Sequence, residues 1–403
     1  MSYLGSFSKD TFIYSAQIHS QIYKSVSGQM ISDVPIGCFL SGGIDSSLIA
    51  SIMQRHSSIP INTFSIGFFN PKYNEAKYAK DVSKYLGTNH MELYVSSSDI
   101  REIIPKMSKI YSEPFADSSQ LPTYIVSKLA GNHVKVVLSG DGGDEVFCGY
   151  NRYIMAKKLW PILKTLHPSI KNIIGRGIGN IRPSSWDKYS GMFGYARFGE
   201  KIYKLGRAIQ SKNIEAFYQN ISSNYFEQDS IVLSTNNFKN ENHVKLIENN
   251  LDDVHYMMGY DALTYLPGDI LVKVDRASMA NSLETRAPFL DHMLFELAWT
   301  MPLHYKIKNG KSKAILREIL CNYIPKRLID RPKMGFAIPV GIWIKKELKD
   351  WAEDLLNPVH LKNEGIFDPN IVKKIWDEHK SDKYNHENVL WSILMFQNWL
   401  LEN

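Results

Sequence analysis

The chain has 403 residues, of which 44% are hydrophobic and 22% are charged, a composition that excludes an intrinsically disordered chain. Its net charge of +6 is small for this length and does not indicate a nucleic-acid surface unless the basic residues cluster. Three widely spaced cysteines, Cys38, Cys148 and Cys321, argue against a disulfide framework or a zinc site and favour a reducing, cytoplasmic compartment.

The amino terminus has neither a basic start nor an apolar signal core, so the sequence predicts no secretion signal. No apolar run approaches the roughly 18 residues that would span a membrane.

Short apolar runs alternate with amphipathic stretches in the first third of the chain. The pattern predicts strands over residues 34–40, 61–68, 90–95 and 134–138, with helices between them around 48–53 and over 75–86 and 119–130. Strands that alternate with helices predict a doubly wound, parallel α/β sheet that is covered on both faces. Ligands bind such sheets at the carboxyl ends of the strands, where two glycine-rich turns fall here.

Helical patterns dominate the rest of the chain. We expect one domain over residues 1–403, with an α/β nucleotide-binding core over 10–150, a helical insertion over 151–250, and a helical part over 251–403 that completes the active site. The basic stretch 157–182 is the one feature that favours nucleic acid as a partner. It lacks an aromatic stacking ladder, so we interpret it as a helical surface insertion.

The first glycine-rich turn covers residues 39–47. Gly42 and Gly43 allow positive φ and a close approach of the backbone to an anion, and the amide groups of the following helix add a phosphate cradle. Ser41, Ser46 and Ser47 add hydroxyl donors, and Asp45 can hold Mg²⁺ against phosphate oxygens. The simpler alternative is a strand-to-helix turn with a Ser/Asp cap.

The second glycine-rich turn, residues 139–145, carries three carboxylates. Such density near a phosphate site would repel the ligand unless a metal intervened, so Asp144 is a candidate second magnesium ligand. Asp141 could contact an amine on the acceptor or manage protons during amide formation. Alternatively, this is a polar turn with Asp144 as a helix cap.

Two further segments carry charge. Residues 265–291 interleave charges with apolar side chains, which predicts partly buried ion pairs of structural origin. The basic loop 331–339 contains Lys333, which would offset the negative charge of bound phosphates if it faced them. Residues 310–312 read Gly-Lys-Ser, but Tyr305 stands where a Walker loop requires its first glycine.

Residues 39–47, 139–153, 273–291 and 331–343, in this order, resemble the synthetase domain of the class B, glutamine-dependent asparagine synthetases. The Ser-Gly-Gly-x-Asp-Ser loop is similar to the pyrophosphate-binding loop of the ATP pyrophosphatases, which implies a sheet of the adenine-nucleotide alpha-hydrolase type. The resemblance implies that ATP and Mg²⁺ are cofactors. It places Mg²⁺ on Asp45 and Asp144, an acid for acyl-adenylate formation at Asp141 and a transition-state cation at Lys333. It places ATP over Leu40, Ser41, Gly42, Gly43, Asp45, Ser46, Ile66, Ser139 and Gly140.

The implied activity is an ATP-dependent amide-forming ligase. A carboxylate, most simply that of aspartate, attacks the α phosphate, and ammonia then converts the acyl-adenylate to the amide and AMP. A uronic acid of surface-polysaccharide synthesis is an alternative acceptor.

The family begins with a glutaminase domain whose first residue is a nucleophilic cysteine, whereas this chain has Ser2. Three alternatives stay open: ammonia is used directly, a separate glutaminase subunit supplies it, or the chain is a piece of a longer protein. Members of the family often form dimers, so a homodimer is a further expectation.

Overall fold

A parallel sheet of five strands is the centre of the fold in the computed structural model. The structure describes residues 9–70, 73–181, 185–186, 198–223, 231–233, 251–331 and 338–403. The sheet has the strand order β3-β2-β1-β4-β5, and every neighbouring pair is parallel. Its strands are β1 (Ile36–Phe39), β2 (Asn62–Phe68), β3 (Asn89–Val95), β4 (Val136–Leu138) and β5 (Glu284–Arg286).

Helices connect and cover the strands. The first group is α1 (Lys9–Gln29), α2 (Ile44–His56), α3 (Ala76–Leu86), α4 (Ser97–Ile103), α5 (Met107–Tyr111), α6 (Gln120–Gly131), α7 (Gly143–Val146), α8 (Asn151–Leu163), α9 (Pro168–Gly179), α10 (Phe198–Ile209) and α11 (Ile214–Ser222).

The second group is α12 (Asp253–Leu263), α13 (Leu271–Met279), α14 (His292–Trp299), α15 (Leu303–Lys306), α16 (Ala314–Leu320), α17 (Lys326–Ile329), α18 (Val340–Trp343), α19 (Lys349–Leu355), α20 (Pro358–Glu364), α21 (Pro369–Lys380) and α22 (Glu387–Leu400). A π-helical turn (Leu266–Ile270) precedes α13, and short 3₁₀ turns occupy Ile104–Lys106 and Pro288–Leu290.

The strand order places a topological switch point at β1. From β1 the chain adds β2 and β3 on one side, and then returns to add β4 on the other side. Cys38 of β1 is in register with Thr63 of β2 and with Leu138 of β4, so β1 and β4 end side by side. Because ligands of open α/β sheets bind at the carboxyl ends of strands at a switch point, both glycine-rich turns open at the expected place.

The four predicted strands are confirmed, and the structure adds a fifth. β5 lies within residues 265–291, where the sequence predicted ion pairs but no strand. Val137 of β4 is in register with Thr285, and the Ser139 amide donates to the Arg286 carbonyl at 2.8 Å. This short, polar strand therefore borders the start of the second glycine-rich turn.

Apolar side chains of β1, α1 and α2 form the main core on one face of the sheet. Cys38, Ile18, Ile22, Leu48 and Ile52 are fully buried within one hydrophobic cluster. The three cysteines are free thiols, and Cys38 and Cys148 are buried. Burial raises the pKa of the Cys38 thiol, which fits its prediction as a small core residue rather than a nucleophile.

The chain divides into two compact units. The first comprises Met1–Lys106, Asp117–Ile154 and Val254–Ile338 and contains the sheet. The second comprises Met107–Ala116, Met155–Asp253 and Pro339–Asn403; its described residues form helices and an isolated bridge between Val232 and Phe367. Trp391 of α22 is one of its fully buried residues. No helix in the described ranges is long and apolar enough to cross a membrane.

Candidate active site

The first glycine-rich turn links β1 to α2 and is held by its own hydroxyl groups. The Ser41 amide donates to Ser46 Oγ at 3.2 Å, and the Gly43 amide donates to Ser41 Oγ at 3.2 Å. The two hydroxyl oxygens lie 3.1 Å apart. Asp45 occupies the first turn of α2, where the helix dipole favours negative charge. The serines predicted to bind ATP therefore also fix the shape of the loop.

Glycine is required at Gly42 for two reasons. Its φ of 70° lies in the left-handed region, and a Cβ there would lie 2.7 Å from the Tyr78 carbonyl carbon in α3. The loop is thus pressed against the backbone at the start of α3.

Three glycines leave space around the Asp45 and Asp144 side chains, and two of them, Gly140 and Gly143, lie against the first turn. A Cβ on Gly143 would lie 2.8 Å from the Asp45 carboxylate, and one on Gly140 would lie 3.0 Å from Asp45 Cβ. A Cβ on Gly149 would overlap the Asp144 carboxylate. These close approaches bring Asp45 and Asp144 to the same end of the cavity.

Lys313 joins the two aspartates. Its ammonium contacts the Asp45 carboxylate and lies 2.5 Å from Asp144 Oδ1, while its side chain is only 4% exposed. Burial alone would lower the pKa of Lys313, but the Asp144 and Asp45 carboxylates outweigh it and raise that pKa. A permanently charged cation therefore lies between the two proposed metal ligands.

The turn before α16 delivers Lys313. Gly310 has a φ of 73° and Lys313 itself has a φ of 54°, while Lys308 and Lys311 form a bridge across the turn. This is the Gly-Lys-Ser segment rejected as a Walker loop. No local sequence pattern indicates a role for Lys313, because its partner Asp45 lies 268 residues away in sequence.

Arg331 fixes the first turn from the other side. Its Nε donates to the Gly42 carbonyl at 2.8 Å and its Nη2 donates to the Ser41 carbonyl at 3.2 Å. The guanidinium also lies 4.4 Å from the Tyr78 ring centroid and 3.7 Å from Glu75. Carbonyl and amide groups of a trans peptide point in opposite directions, so holding these carbonyls fixes where the adjacent amides point. Arg331 belongs to the basic loop 331–339, for which the sequence predicts a role at Lys333 alone.

These groups surround a cavity of about 340 Å³, a volume within the range of small-molecule sites. Lys273, Lys313 and Arg331 supply cations to its wall. The wall also includes the sequence-predicted residues Leu40, Ser41, Gly42, Gly43, Asp45, Ser46, Ile66, Ser139, Gly140, Asp141 and Asp144. Lys333 lies outside the described residues, so its role remains a prediction.

Asp141 interacts electrostatically with both the aspartate pair and Lys273. Burial is the main cause that raises the pKa of Asp141, and the nearby Asp45 and Asp144 charges raise it further. Lys273 acts in the opposite direction on the same carboxyl. The cavity wall therefore carries Asp141 and Lys273 in addition to Asp45 and Asp144.

The two carboxylates of Asp45 and Asp144 form a donor set that fits Mg²⁺. Among the described residues, no group of three or more histidine, cysteine or carboxylate side chains could hold a metal ion. Mg²⁺ usually binds one or two carboxylates and completes its shell with water and substrate phosphates, which is what Asp45 and Asp144 would offer. A cation already lies between these carboxylates in the form of Lys313.

The charges of residues 284–291 have structural roles. Arg286 donates through Nη1 to the carbonyls of Gln29 and Ile31, both at 2.7 Å. Asp291 caps α14 through the Leu294 amide and accepts a bond from Gln21 at 3.1 Å. These contacts link the segment to α1, and they are hydrogen bonds rather than the predicted ion pairs. Arg286 also forms an ion pair with Glu284.

Comparison with known proteins gives one family. The family model described as asparagine synthase matches residues 17–401. Glutamine-hydrolyzing asparagine synthetase 1 of Bacillus subtilis (strain 168) is 31% identical over 400 residues, covering 95% of this chain and 58% of the relative. Asparagine synthetase 3 of the same organism is 25% identical over 357 residues, covering 84% and 51%. Asparagine synthetase 3 of Arabidopsis thaliana is 35% identical over 147 residues, covering 33% and 25%.

The chain spans little more than half the length of the Bacillus relatives that it matches. Within this chain the family match is almost continuous, and it includes both glycine-rich turns, β5 and the turn that carries Lys313. The chain therefore belongs to the asparagine synthase family, whose fold is of the adenine-nucleotide alpha-hydrolase type.

Proposed function

We propose that the chain is an ATP-dependent ligase that forms a carbon–nitrogen bond. It activates a carboxylate as an acyl-adenylate, releases pyrophosphate, and lets ammonia displace AMP to give an amide. The observation that carries the proposal is the cavity at the switch point, where two glycine-rich turns converge on Asp45 and Asp144. Relatives that are named glutamine-hydrolyzing asparagine synthetases support it.

The first turn supplies what a triphosphate requires. Gly42 lets the loop lie against α3, and the start of α2 offers amide groups and a positive dipole end. Leu40 and Ile66 offer buried apolar surface for the adenine ring. Ser139 and Gly140, at the start of the second turn, face the same cavity.

Mg²⁺, when bound, would neutralise phosphate charge from its position on Asp45 and Asp144. Lys313 is oriented by the same two carboxylates and adds positive charge near the departing pyrophosphate. We assign Lys333 the same task from the loop after Arg331. A free carboxylate is a poor electrophile, so it must be adenylated before ammonia can attack it. The enzyme contributes to adenylation by neutralising charge and by aligning the two substrates.

We propose that the acceptor's reacting end meets the nucleotide beside Asp141, which lines the cavity. Its raised pKa suits a group that holds or accepts a proton near the reacting carboxylate. We propose aspartate as the acceptor and ammonia as the nitrogen source, with a glutaminase domain or subunit as a further possible partner.

Pyrophosphate release across candidate carboxylates tests this function. Aspartate should support release that depends on both Mg²⁺ and the acceptor, with AMP as the second product. Glucuronate and galacturonate test the alternative acceptor class, and a strong preference for either would overturn the aspartate assignment. Formation of ADP, or no release with any carboxylate, would contradict the ligase itself.

Lys333→Leu tests the assigned transition-state cation. We expect the variant to bind ATP nearly as the parent chain does and to lose pyrophosphate formation by at least about 100-fold, because charge stabilisation is lost in the transition state alone. Lys326→Leu, a change at an exposed lysine of α17, is the matched control. Full activity of the Lys333 variant would refute the role.

A further inference from the structure

Two carboxyl groups lie against each other beside Lys273, which lines the cavity. Asp117 lies just before the start of α6, and its carboxyl is hydrogen-bonded to the carboxyl of Asp269. Asp117 also accepts a bond from Lys273 Nζ at 2.7 Å and one from the Ser119 amide at 2.8 Å. Asp269 lies in the π-helical turn before α13, a distortion that frequently occurs at functional sites.

Two carboxylates in contact do not ionise independently, and such a pair holds one proton over a wide pH range. Lys273 favours ionisation of Asp117: burial alone would raise the pKa of Asp117, but the ammonium outweighs it and lowers that pKa. The proton therefore resides on Asp269. Burial, followed by the Asp117 charge, raises the pKa of Asp269 to about 7. Asp269 Oδ1 is buried and accepts no hydrogen bond from the described residues.

The pair is connected to the cavity through Lys273. Lys273 lines the cavity wall with Asp141, and the two interact electrostatically. Asp141 in turn interacts with Asp45 and Asp144. Electrostatic interactions thus connect the proposed metal-binding aspartates to Asp141, Asp141 to Lys273, and Lys273 to the carboxyl pair.

Aminolysis of an acyl-adenylate requires a proton acceptor. The nitrogen lone pair of ammonia forms a bond to the acyl carbon, and the carbon–oxygen bond to AMP breaks with AMP keeping the electron pair. The nitrogen must then lose one proton to become a neutral amide. We assign Asp45 and Asp144 to the metal and Asp141 to the adenylation step. Glu145 accepts a hydrogen bond from the Tyr150 hydroxyl. The proton of the aminolysis step therefore needs a further acceptor.

We propose that the Asp117–Asp269 pair is the proton acceptor of the aminolysis step, with Asp269 receiving the proton and Lys273 acting as a positioning residue. This inference rests on the proposed ligase function. Asp269 accepts the proton from the attacking nitrogen when the pair is fully ionised, shares it with Asp117, and returns it to solvent before the next turnover.

Tyr265 and Lys273 are titratable groups whose pKa values respond to both carboxyls of the pair. Tyr265, at the start of the π turn, has its pKa raised by burial and by the Asp269 and Asp117 charges, so it stays neutral beside them. Arg152 and Glu145 act on Tyr265 with opposite signs. Lys273 is the cation that acts directly on both members of the pair, and its pKa is raised because Asp117, Asp269 and Asp141 outweigh its burial.

The test separates the two half-reactions in the intact chain. ATP–pyrophosphate exchange without ammonia reports adenylation, with L-aspartate and D-glucuronate as acceptor probes. Amide formation from about pH 6 to about pH 9, expressed per concentration of unprotonated ammonia, reports aminolysis. In the parent chain, this normalised rate should rise with pH through about 7, where Asp269 loses its proton.

Asp269→Asn should keep exchange within about threefold, lower amide formation by about 100-fold, and abolish the rise with pH. Asp269→Glu should restore the rise, and Asp117→Asn should move it to lower pH because Lys273 then acts on Asp269 alone. Asp81→Asn, at an exposed position of α3, is the control and should match the parent chain.

A parental pH profile in Asp269→Asn would overturn the proposal, as would an equal loss of exchange and aminolysis in that variant. If Asp269→Asn does not fold, the shift expected for Asp117→Asn decides, and an unshifted profile there contradicts the proposal. Absence of exchange in the parent chain with every carboxylate would instead defeat the ligase function, and this inference with it.

Discussion

The Lys313 ammonium contacts the carboxylates of Asp45 and Asp144 and is almost fully buried. A buried ion pair adds little net stability over an apolar replacement, but removal of one partner leaves the other charge without compensation. Here the loss of one lysine would leave two aspartates facing each other. At the scale of the residue, the stability of the site therefore depends on a cation at this point, whether ammonium or metal.

Lys313→Met should lower the free energy of unfolding by about 3 kcal/mol in the absence of Mg²⁺, because two carboxylates lose their shared counter-charge. Added Mg²⁺ should recover part of that loss, since it binds the folded carboxylate pair. Thermal or urea unfolding with and without Mg²⁺ measures both effects.

Lys311→Met is the matched control, because Lys311 lies in the same turn and pairs with Asp330 at the surface. Exposed pairs contribute little, so we expect a change within about 0.5 kcal/mol and no new dependence on Mg²⁺. Equal effects of the two substitutions would show that Lys313 is not the counter-charge of the aspartates.

At the scale of the element, the loop between β1 and α2 is shaped by its contact with α3. Gly42 and Gly87 both have positive φ, but a Cβ would meet backbone atoms of α3 at Gly42 and open space at Gly87. The two glycines therefore separate the cost of left-handed backbone from the cost of displacing the loop.

Gly87→Ala should cost about 1 kcal/mol of stability, the usual penalty for a side chain in this region, and leave the KM for ATP unchanged. Gly42→Ala should cost more than about 2 kcal/mol and raise the KM for ATP by about tenfold or more, because the loop must move away from α3. Chemical unfolding and initial-rate kinetics on both variants check this. A Gly42→Ala enzyme with the parental KM would contradict the assignment of this loop to the phosphates.

At the scale of the whole molecule, local sequence patterns predicted the strands that consist of apolar runs. Apolar runs that end in glycine-rich turns predicted β1 and β4, and through them the position of Asp45 and Asp144. β5 escaped prediction because Glu284, Thr285 and Arg286 are polar and form a strand only through their pairing with β4.

The same limit applies to side chains that act across the fold. Lys313 lies 268 residues from Asp45 in sequence, and Asp117 lies 156 residues from Lys273. No periodicity or local motif links such residues, because the sheet topology alone brings them together. The role of Arg331 is equally hard to predict from sequence, because its partners are backbone carbonyls that any residue at those positions would offer.

The transfer of ¹⁸O from a labelled acceptor carboxylate to the nucleotide tests the central claim most directly. If the carboxylate attacks the α phosphate, the AMP that is formed with ammonia and Mg²⁺ should carry one labelled oxygen, and pyrophosphate should carry none. Mass spectrometry of the two products measures this. Label in inorganic phosphate together with ADP, or unlabelled AMP, would contradict the formation of an acyl-adenylate in this cavity.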